Sequence, residues 1–382
     1  MTDNVVRWRV RCQRSVEYDV VNAPHLFHPQ NPALLSLGRV DNGRRFVVVD
    51  ANVARDHATE IQAYFAHHGV NAKIAIFPGG EENKTLGMYL EILHELDVFP
   101  IHRRDEPIIV IGGGVLTDVV GFAASNYRRG VPHIKVPTTL MGYVDASVGI
   151  KSAINFNGHK NRLGSFEPPR RVLLDRAFLK TLSRRHLLNG VCEIIKLAII
   201  KDAELFCALE SAGTESVAAH FQNPSGGEIL DCAISGMLEE LQSNLFEDNL
   251  SRKVDFGHTF SHALESRHTP HLLHGEAVLL DIAVSILIAR NRKLLSEQET
   301  ARVFSLIDRL GMVLSTDSLD SNLLWQSLLE RIENRNGLQR VPIPDAIGHC
   351  VFLNDIERLE IETSVRTLKE WGRVPYAAAT QR

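Results

Sequence analysis

Four side chains in the second half of the sequence have the types and spacing of a divalent-metal site. His258 and His262 are four residues apart in FGHTFSHALE, so a helix would place both on one face. His274 follows in LLHGEAV, and Glu193 precedes all three in CEIIK. Glu193, His258 and His274 would give Zn²⁺ three protein ligands and leave coordination positions open, as in catalytic sites. Surface or hydrogen-bonded core histidines are the alternative, and the spacing alone does not decide between the two.

A glycine turn in the first half could bind a pyrophosphate. The run GGG at 112–114 follows an apolar strand pattern and precedes a helical one, so backbone N–H groups would be exposed at the positive end of a helix. Thr117 stands where the dinucleotide fingerprint has its third glycine, so the match is incomplete. A second turn, PGGE at 78–81, follows the preceding strand pattern. Two such turns after neighbouring strands favour a nucleotide crevice over glycines that serve packing alone.

A third group of polar residues lies in VDASVGIKSAINFNGHKN, at 144–161. It contains Asp145, Lys151, Lys160 and Asn161, with glycines between them. Lysines in such a segment would suit a phosphate-bearing substrate, because each acts as a mobile point charge. A solvated loop is the alternative, and the local sequence by itself favours it.

The composition indicates a globular protein of two domains. The chain has 382 residues, of which 44% are hydrophobic and 23% are charged. Lys and Arg number 42 against 46 Asp and Glu, and the formal net charge of −4 argues against overall affinity for nucleic acid or anionic membranes. The five cysteines form no CxxC, and the sequence shows neither a signal-peptide core nor a membrane-length apolar run. We therefore expect a soluble cytoplasmic protein without a disulfide framework.

The hydrophobic patterns predict two kinds of architecture along the chain. In the first half, strand patterns occur at 44–50, 72–80, 106–114, 133–139 and 171–175, and helical patterns at 53–69, 84–99 and 115–125. This alternation predicts an α/β domain with a mostly parallel sheet covered on both faces. The second half has helical periods, no convincing strand, and one loop cluster at 222–227. We place a nucleotide-binding α/β domain at 1–180 and an all-α metal- and substrate-binding domain at 181–382.

Taken in order, these motifs resemble those of the sugar phosphate cyclase superfamily, whose best-known member is 3-dehydroquinate synthase. The resemblance is carried by GGGVLTDVVGFAASNYRRG (112–130), VPTTLMGYVDASVGIKSAIN (136–155), HKNRLGSF (159–166), NGVCEIIK (189–196), DFGHTFSHALE (255–265) and LLHGEAV (272–278). It extends from about residue 46 to 350 in the family's order and approximate spacing. It implies an NAD-binding α/β domain, a helical metal domain, an active site between them, and a homodimer.

The resemblance also implies roles for individual residues, by match to the family's motifs. The metal ligands would be Glu193, His258 and His274, with Zn²⁺ the expected ion and Co²⁺ an alternative. The catalytic residues would be Asp145, Lys151, Lys196, Glu247 and His262. The substrate would be bound by Lys160, Asn161, Asp255, Asp281 and His349, and its phosphate by Arg129 across the dimer. NAD would be surrounded by Asp50, Asn52, Glu81, Lys84, Gly113, Gly114, Asp118, Thr138, Thr139, Phe178 and Thr181.

The reaction implied by the resemblance uses NAD as a recycled catalyst. Hydride is removed from a secondary alcohol that the metal and nearby bases polarise. The resulting ketone acidifies the neighbouring C–H, so phosphate leaves by elimination, and the hydride then returns. Opening of the hemiketal and an intramolecular aldol addition close a carbocycle in a water-poor cleft.

Departures from the 3-dehydroquinate synthase pattern bear on the substrate. That enzyme binds its substrate's carboxylate with a lysine and an arginine. Alignment on Glu247 and Asp255 puts Met237 at the lysine position and Ser251 at the arginine position. Arg252 is adjacent, so a shift of one residue could partly restore the guanidinium group.

Three further positions change charge in the same region. Asp255 replaces an asparagine, Asp281 a glycine and His349 a lysine of the family pattern. A buried carboxylate without charged partners is unfavourable by several kcal/mol, so these changes fit a carboxylated substrate poorly. Carboxylate side chains can accept hydrogen bonds from hydroxyl groups, which fits a neutral polyol end. The pattern resembles the 2-epi-5-epi-valiolone synthase branch, which cyclises sedoheptulose 7-phosphate to a C7-cyclitol precursor.

Other functions remain open on the sequence. Within the superfamily they are 3-dehydroquinate synthase itself, 2-deoxy-scyllo-inosose synthase acting on glucose 6-phosphate, and other sedoheptulose cyclases. A metal-dependent polyol dehydrogenase has a similar two-domain plan but would release NADH. A ligand-binding relative without catalysis is the non-enzyme alternative, and the retained metal and lysine residues argue against it.

Overall fold

The computed structural model describes residues 7–13, 15–35, 37–38, 43–267 and 272–371. The strands are β1 (Asp19–Asn22), β2 (Arg44–Asp50), β3 (Asn71–Phe77), β4 (Ile108–Gly112), β5 (His133–Pro137), β6 (Lys151–Phe156), β7 (His159–Phe166), β8 (Arg171–Leu174), β9 (Val341–Ala346) and β10 (His349–Leu353). The helices are α1 (Ala51–His67), α2 (Leu86–Val98), α3 (Gly114–Asn126), α4 (Arg184–Ile200), α5 (Ala203–Ala218), α6 (Pro224–Ser243), α7 (Ser261–Arg267), α8 (His274–Asn291), α9 (Glu297–Arg309), α10 (Ser321–Asn334) and α11 (Arg358–Trp371).

The first half is built on a six-stranded parallel sheet in the order β1-β8-β5-β4-β2-β3. Strands β2 and β4 contain continuous apolar runs, FVVV and IIVI, and all of β4, with sequence IIVIG, is buried. Such runs are typical of strands covered on both faces. Ile108 and Val110 pack with α2 and α3 on one face, and Ile109 and Ile111 pack with α1 on the other. The predicted α/β architecture is confirmed.

Strands β6 and β7 form an antiparallel hairpin outside this sheet, packed on α3. Their turn is Asn157–Gly158, and both residues have positive φ, 50° and 76°. A two-residue loop of this kind matches the twist of the flanking strands, and Asn-Gly is its preferred sequence. The hairpin replaces the solvated loop that the local sequence favoured. It carries Lys151 at its start and Lys160 and Asn161 just after its turn.

The second half is helical, as predicted, and packs around α8. From Ala277 to Ala289 every residue of α8 is buried, as expected for a helix that is apolar on all sides. The hairpin β9–β10 is the exception to an all-α second half. Its first strand contains Pro342 and Pro344, which weigh against a strand in sequence patterns. The predicted loop at 222–227 is the start of α6, where Asn223 caps the helix.

The six sheet strands lie between residues 19 and 174, and the long helices of the second half begin at Arg184. The domain bounds of 1–180 and 181–382 stay predictions. None of the helices in the described ranges is both long enough and apolar enough to cross a lipid bilayer.

Candidate active site

The three residues predicted as metal ligands lie together in the structure. Glu193 is on the buried face of α4, His258 precedes α7, and His274 is the first residue of α8. One ligand atom from each lies within 4.8 Å of the others. The two histidine rings are 5.1 Å apart between centroids, and His274 Nε2 is 3.5 Å from Glu193 Oε1. The fold thus brings together Glu193 and two histidines that follow it in the sequence by 65 and 81 residues.

The chemistry of this group fits a divalent cation. Glu193 is fully buried, and neither of its carboxylate oxygens has a hydrogen bond of normal geometry, although the Lys196 ammonium contacts Oε2. Burial opposes ionisation of Glu193, but Lys196 and the two imidazoles keep its pKa below the usual range. A buried ionised carboxylate beside two imidazole nitrogens is the donor set that Zn²⁺ prefers.

Both histidines are oriented by a second hydrogen bond. Nδ1 of His258 lies 3.1 Å from the Phe256 carbonyl oxygen, and Nδ1 of His274 lies 2.9 Å from Glu265 Oε1. Each bond leaves Nε2 free to face a metal, and such partners normally fix the tautomer of a metal-binding histidine. The sequence interpretation did not assign Glu265. Its signal was present, since Glu265 closes the HALE segment one helical turn after His262.

A chain of alternating charges runs through the site, and we call it the alternating-charge chain. Lys160 Nζ is 3.7 Å from Glu81 Oε1 and in direct contact with Glu265. Glu265 binds His274, which faces Glu193, and Glu193 contacts Lys196. In the metal-free protein, burial opposes protonation of His274, yet its two carboxylate neighbours raise its pKa to about 10, and a metal bound at Nε2 would replace that proton. The members of the chain are Glu81, Lys160, Glu265, His274, Glu193 and Lys196.

The predicted catalytic residues surround this chain. Asp145 lies in the turn Gly142–Ala146, and burial together with the negative charge of Glu193 raises its pKa. Lys151 forms an ion pair with Glu247, which stands in left-handed conformation at φ 59°. His262 is 56% exposed at its side chain, so a substrate could reach it. All five predicted catalytic residues therefore lie at or next to the candidate metal ligands or the hairpin.

The predicted NAD residues cluster where the parallel strands end. Asp50 ends β2 and caps α1 by accepting the Asn52 N–H at 2.8 Å. Helix α3 begins at Gly114 without a side-chain cap, so its first-turn N–H groups remain for an anionic ligand. A Cβ added at Gly113 would lie 3.0 Å from Thr139 Cγ2, so Thr139 would have to move to accommodate any other residue in this turn. These features fit a dinucleotide's pyrophosphate.

The hairpin joins the nucleotide side of this region. Lys84 Nζ is 2.6 Å from Asp118 Oδ2 and 2.5 Å from Asn161 Oδ1, so it links α3 to the hairpin. Thr138 follows β5, and its N–H donates to the Gly112 carbonyl at 3.0 Å. Beyond β8, the Phe178 ring stacks edge-on against His57, and Thr181 is exposed nearby.

Family models for the N-terminal and C-terminal parts of 3-dehydroquinate synthase match residues 74–189 and 190–334. The chain belongs to the 3-dehydroquinate synthase family. A 2-epi-5-epi-valiolone synthase from Streptomyces albus is 46% identical over 97% of this chain and 92% of its own length. Another from Streptomyces hygroscopicus subsp. jinggangensis is 43% identical over 98% of this chain and 92% of its own length. The solved structure of ValA, a 2-epi-5-epi-valiolone synthase from the same subspecies with NAD⁺ and Zn²⁺ bound, matches with a TM-score of 0.91 at 42% identity, covering 95% of this chain and 99% of that one.

The residues that depart from the 3-dehydroquinate synthase pattern have unexpected surroundings. Met237, at the lysine position, is buried in the core of the helical half. Ser251, at the arginine position, accepts a hydrogen bond from Arg340 at 3.1 Å. Arg252 contacts both Glu247 and Asp255, so a guanidinium group is present but is already bound by two carboxylates.

Asp255 is not an open acceptor for substrate hydroxyls in this structure. Its carboxylate contacts the guanidinium groups of Arg252, Arg331 and Arg335. Burial opposes its ionisation, but the three arginines keep its pKa below the usual range. The charge argument made from the sequence missed Arg331 and Arg335. They follow Asp255 by 76 and 80 residues, and no local sequence pattern indicates contacts over such separations.

Asp281 is enclosed by protein at the junction of α7 and α8. It is fully buried on α8, and Oδ2 accepts the N–H groups of Phe260 and Ser261 at 2.5 and 3.1 Å. Ser285 donates to Oδ1 at 3.3 Å. Asp281 thus ties the start of α7 to α8, and its predicted contact with substrate stays a prediction.

The two remaining predicted binding residues lie on exposed segments. His349 is 61% exposed at the start of β10 and pairs with Asp345 at 2.6 Å. Arg129 is exposed on the turn after α3, where its carbonyl accepts a hydrogen bond from Arg103. Their substrate contacts stay predictions.

Proposed function

We propose that this chain is a sugar phosphate cyclase that converts sedoheptulose 7-phosphate to 2-epi-5-epi-valiolone and phosphate, using bound NAD and a divalent metal, with Zn²⁺ the expected ion. The sequence relatives named above support this substrate. The observation that carries the proposal is the alternating-charge chain, which connects the candidate metal ligands to Lys160 of the hairpin beside the nucleotide turns. A cyclase needs a metal, a nucleotide and a phosphate-binding lysine in one place, because the same pocket must oxidise the substrate, eliminate its phosphate and reduce the resulting ketone.

The bound groups would supply what side chains lack. NAD, when bound, would supply hydride transfer, and a metal held by Glu193, His258 and His274 would supply Lewis-acid polarisation of substrate oxygens. The protein's contribution is to hold the substrate, place bases beside the reacting carbons and exclude water.

Cationic side chains would hold the phosphate. Lys151 is 56% exposed at its side chain, and Lys160 lies between two carboxylates at the edge of the site. Their ammonium groups can bind phosphate as point charges before and during its departure. Arg129 would add a guanidinium from a second subunit, which makes the active protein a homodimer.

Proton transfer would fall to groups around the metal ligands. Lys196 Nζ is buried against Glu193, and the negative charge of Glu193 and Asp145 outweighs burial and raises its pKa. Lys196 can therefore donate a hydrogen bond to a substrate oxygen but is a poor base. His262, whose side chain is 56% exposed and so within reach of a substrate, is better suited to accept a proton.

The proposal is tested with a panel of sugar phosphates. Purified protein with NAD⁺ and Zn²⁺ is given sedoheptulose 7-phosphate, the heptulosonate 7-phosphate precursor of dehydroquinate, or glucose 6-phosphate. We expect turnover of the first, one phosphate released per turnover, no net NADH, and a carbocyclic product identified by NMR.

Two results would contradict the proposal. Steady accumulation of NADH would indicate a polyol dehydrogenase, and turnover of the heptulosonate alone would indicate a 3-dehydroquinate synthase. A His274→Ala variant serves as the inactive control, because it removes a candidate metal ligand.

A further inference from the structure

A cluster of charged side chains lies beside the candidate metal ligands, and the proton and phosphate transfers described above do not use its arginines. The carbonyl of Asp255 accepts the His258 N–H at 2.9 Å, which places Asp255 one turn before the metal site. Its Oδ1 is 3.3 Å from Arg252 Nη2, and its Oδ2 is 3.2 Å from Arg331 Nη2 and 2.5 Å from Arg335 Nη2. We call these four residues the Asp255–arginine cluster.

The arginines of this cluster are fixed independently of Asp255. Arg331 donates to the carbonyl oxygens of Gln339 at 2.9 Å and Arg340 at 3.0 Å. Arg335 donates to the carbonyl oxygen of Leu250 at 2.9 Å. Main-chain acceptors would keep both guanidinium groups in place if the Asp255 carboxylate were lost, so the positive charge of the cluster is preformed.

The cluster is continuous with the candidate substrate site. Arg252 also contacts Glu247, and Glu247 forms the ion pair with Lys151 of the hairpin. Asp255 is 6% exposed, so its carboxylate is almost entirely enclosed among its guanidinium partners. Three guanidinium groups facing one carboxylate leave an excess of positive charge, which becomes larger when that carboxylate is removed.

We infer that Asp255 is an internal counterion that closes the arginine cluster to a carboxylated sugar phosphate and so selects a substrate with a neutral end. A substrate carboxylate would have to displace Asp255 from its three guanidinium partners or lie beside it, and like charges at close range disfavour binding. A hydroxymethyl group meets no such opposition. This inference rests on the proposed function, because it names what the same site rejects.

The inference is tested by direct binding, without turnover. Wild type and Asp255→Asn, each with NAD⁺ and Zn²⁺, are titrated calorimetrically with sedoheptulose 7-phosphate and with the heptulosonate 7-phosphate. We expect the substitution to shift the ratio of the two dissociation constants about tenfold or more in favour of the heptulosonate, the scale of a hydrogen bond to a charged group. An unchanged ratio would overturn the inference.

Two further variants complete the test. Asp355→Asn removes an aspartate paired with Arg292 at 2.7 Å, outside the cluster, and should leave the ratio as in wild type. If Asp255→Asn does not fold, Arg335→Gln decides: because Arg335 faces Asp255 and not the substrate, sedoheptulose 7-phosphate should bind as in wild type. If Arg335→Gln no longer bound sedoheptulose 7-phosphate, the cluster would be assigned to direct substrate binding and the inference would be overturned.

The two proposals fail in different ways. A wild-type protein that binds neither sugar phosphate contradicts the proposed function. A wild-type protein that binds sedoheptulose 7-phosphate, with no gain for the heptulosonate in Asp255→Asn, contradicts the counterion role alone.

Discussion

Glu265 shows how much of a metal site depends on a residue that would not touch the metal. It is 4% exposed, and its carboxylate is hydrogen-bonded to Nδ1 of His274 and contacts Lys160 of the hairpin. Removing the partner of a metal-binding histidine typically weakens metal binding about 10- to 100-fold. We therefore expect Glu265→Gln to lower Zn²⁺ affinity by that order, measured by competition with a chromogenic chelator.

A matched control is available on the surface of the helical half. Glu210→Gln removes a glutamate paired with Arg302 at 2.6 Å and should not change Zn²⁺ affinity. Equal affinity in Glu265→Gln and wild type would show that His274 is oriented by its position on α8 alone.

Asp281 makes a separate prediction about pH. Burial raises its pKa to about 6, above its ordinary value of 3.8, despite the two backbone N–H donors. The folded protein thus binds this proton more readily than the unfolded chain, so the contribution of Asp281 to stability falls as pH rises through about 6. Between pH 7.5 and 5, wild type should gain about 1.4 kcal/mol relative to Asp281→Asn. Thermal unfolding of both proteins across this range measures the difference, and a parallel pH dependence would refute the assignment.

At the scale of helices, glycines set the spacing around the metal ligands. A Cβ added at Gly190 of α4 would lie 2.6 Å from Leu140 and from the Met141 nitrogen, next to the nucleotide turns. A Cβ at Gly275 of α8 would overlap the carbonyl of Asn189 on α4. The two glycines therefore fix how closely α4, with Glu193, approaches its neighbours on both sides.

Replacing either glycine with alanine should therefore push α4 away from its neighbour and displace Glu193. We expect Gly275→Ala to weaken Zn²⁺ binding and Gly190→Ala to weaken NAD⁺ binding more than Zn²⁺ binding, each by about tenfold or more, since a misplacement near 1 Å disrupts such sites. Titration of each ligand measures this. Gly236→Ala on α6, where the nearest atom is 3.7 Å away, is the control and should bind both normally. Normal binding by Gly275→Ala would mean that α8 can shift without cost.

The hairpins show where element prediction from sequence fails and why. The β6–β7 hairpin was predictable from Asn157–Gly158, but the lysines drew attention to the segment as a phosphate-binding loop. The β9–β10 hairpin was not predictable, since Pro342 and Pro344 have no N–H groups for hydrogen bonds between strands and are tolerated only in an edge strand. The central strands were predicted correctly, because their apolar runs are long and local.

At the scale of the molecule, sequence patterns located the site but not its balance of charge. His258, His274 and Glu193 were recognisable from type and spacing, and the structure brings them together. Arg331 and Arg335 reach Asp255 from α10 and the turn after it, across a distance in sequence that no local pattern reports. Long-range partners of this kind decide whether a buried charge is stabilised, so substrate preference is harder to predict than fold.

Metal removal should act on one half of the protein. All three candidate ligands belong to the helical half, and a ligand present at 1,000 times its dissociation constant stabilises the fold by about 4 kcal/mol. Chelation should therefore increase amide hydrogen exchange in α4, α7 and α8 while β4 stays protected. A Glu193→Gln variant should show the faster exchange without chelator. Uniform loss of protection would mean that the two halves unfold as one unit.

The alternation of sign along Glu81, Lys160, Glu265, His274, Glu193 and Lys196 has a consequence for any mutational study of this protein. Neutralising one member leaves the next with an unbalanced charge in a poorly hydrated place, so every single substitution overstates that residue's own contribution. Neighbours neutralised together would cost less than the sum of their separate effects. Only thermodynamic cycles over adjacent pairs can divide the energy of this site fairly among its members.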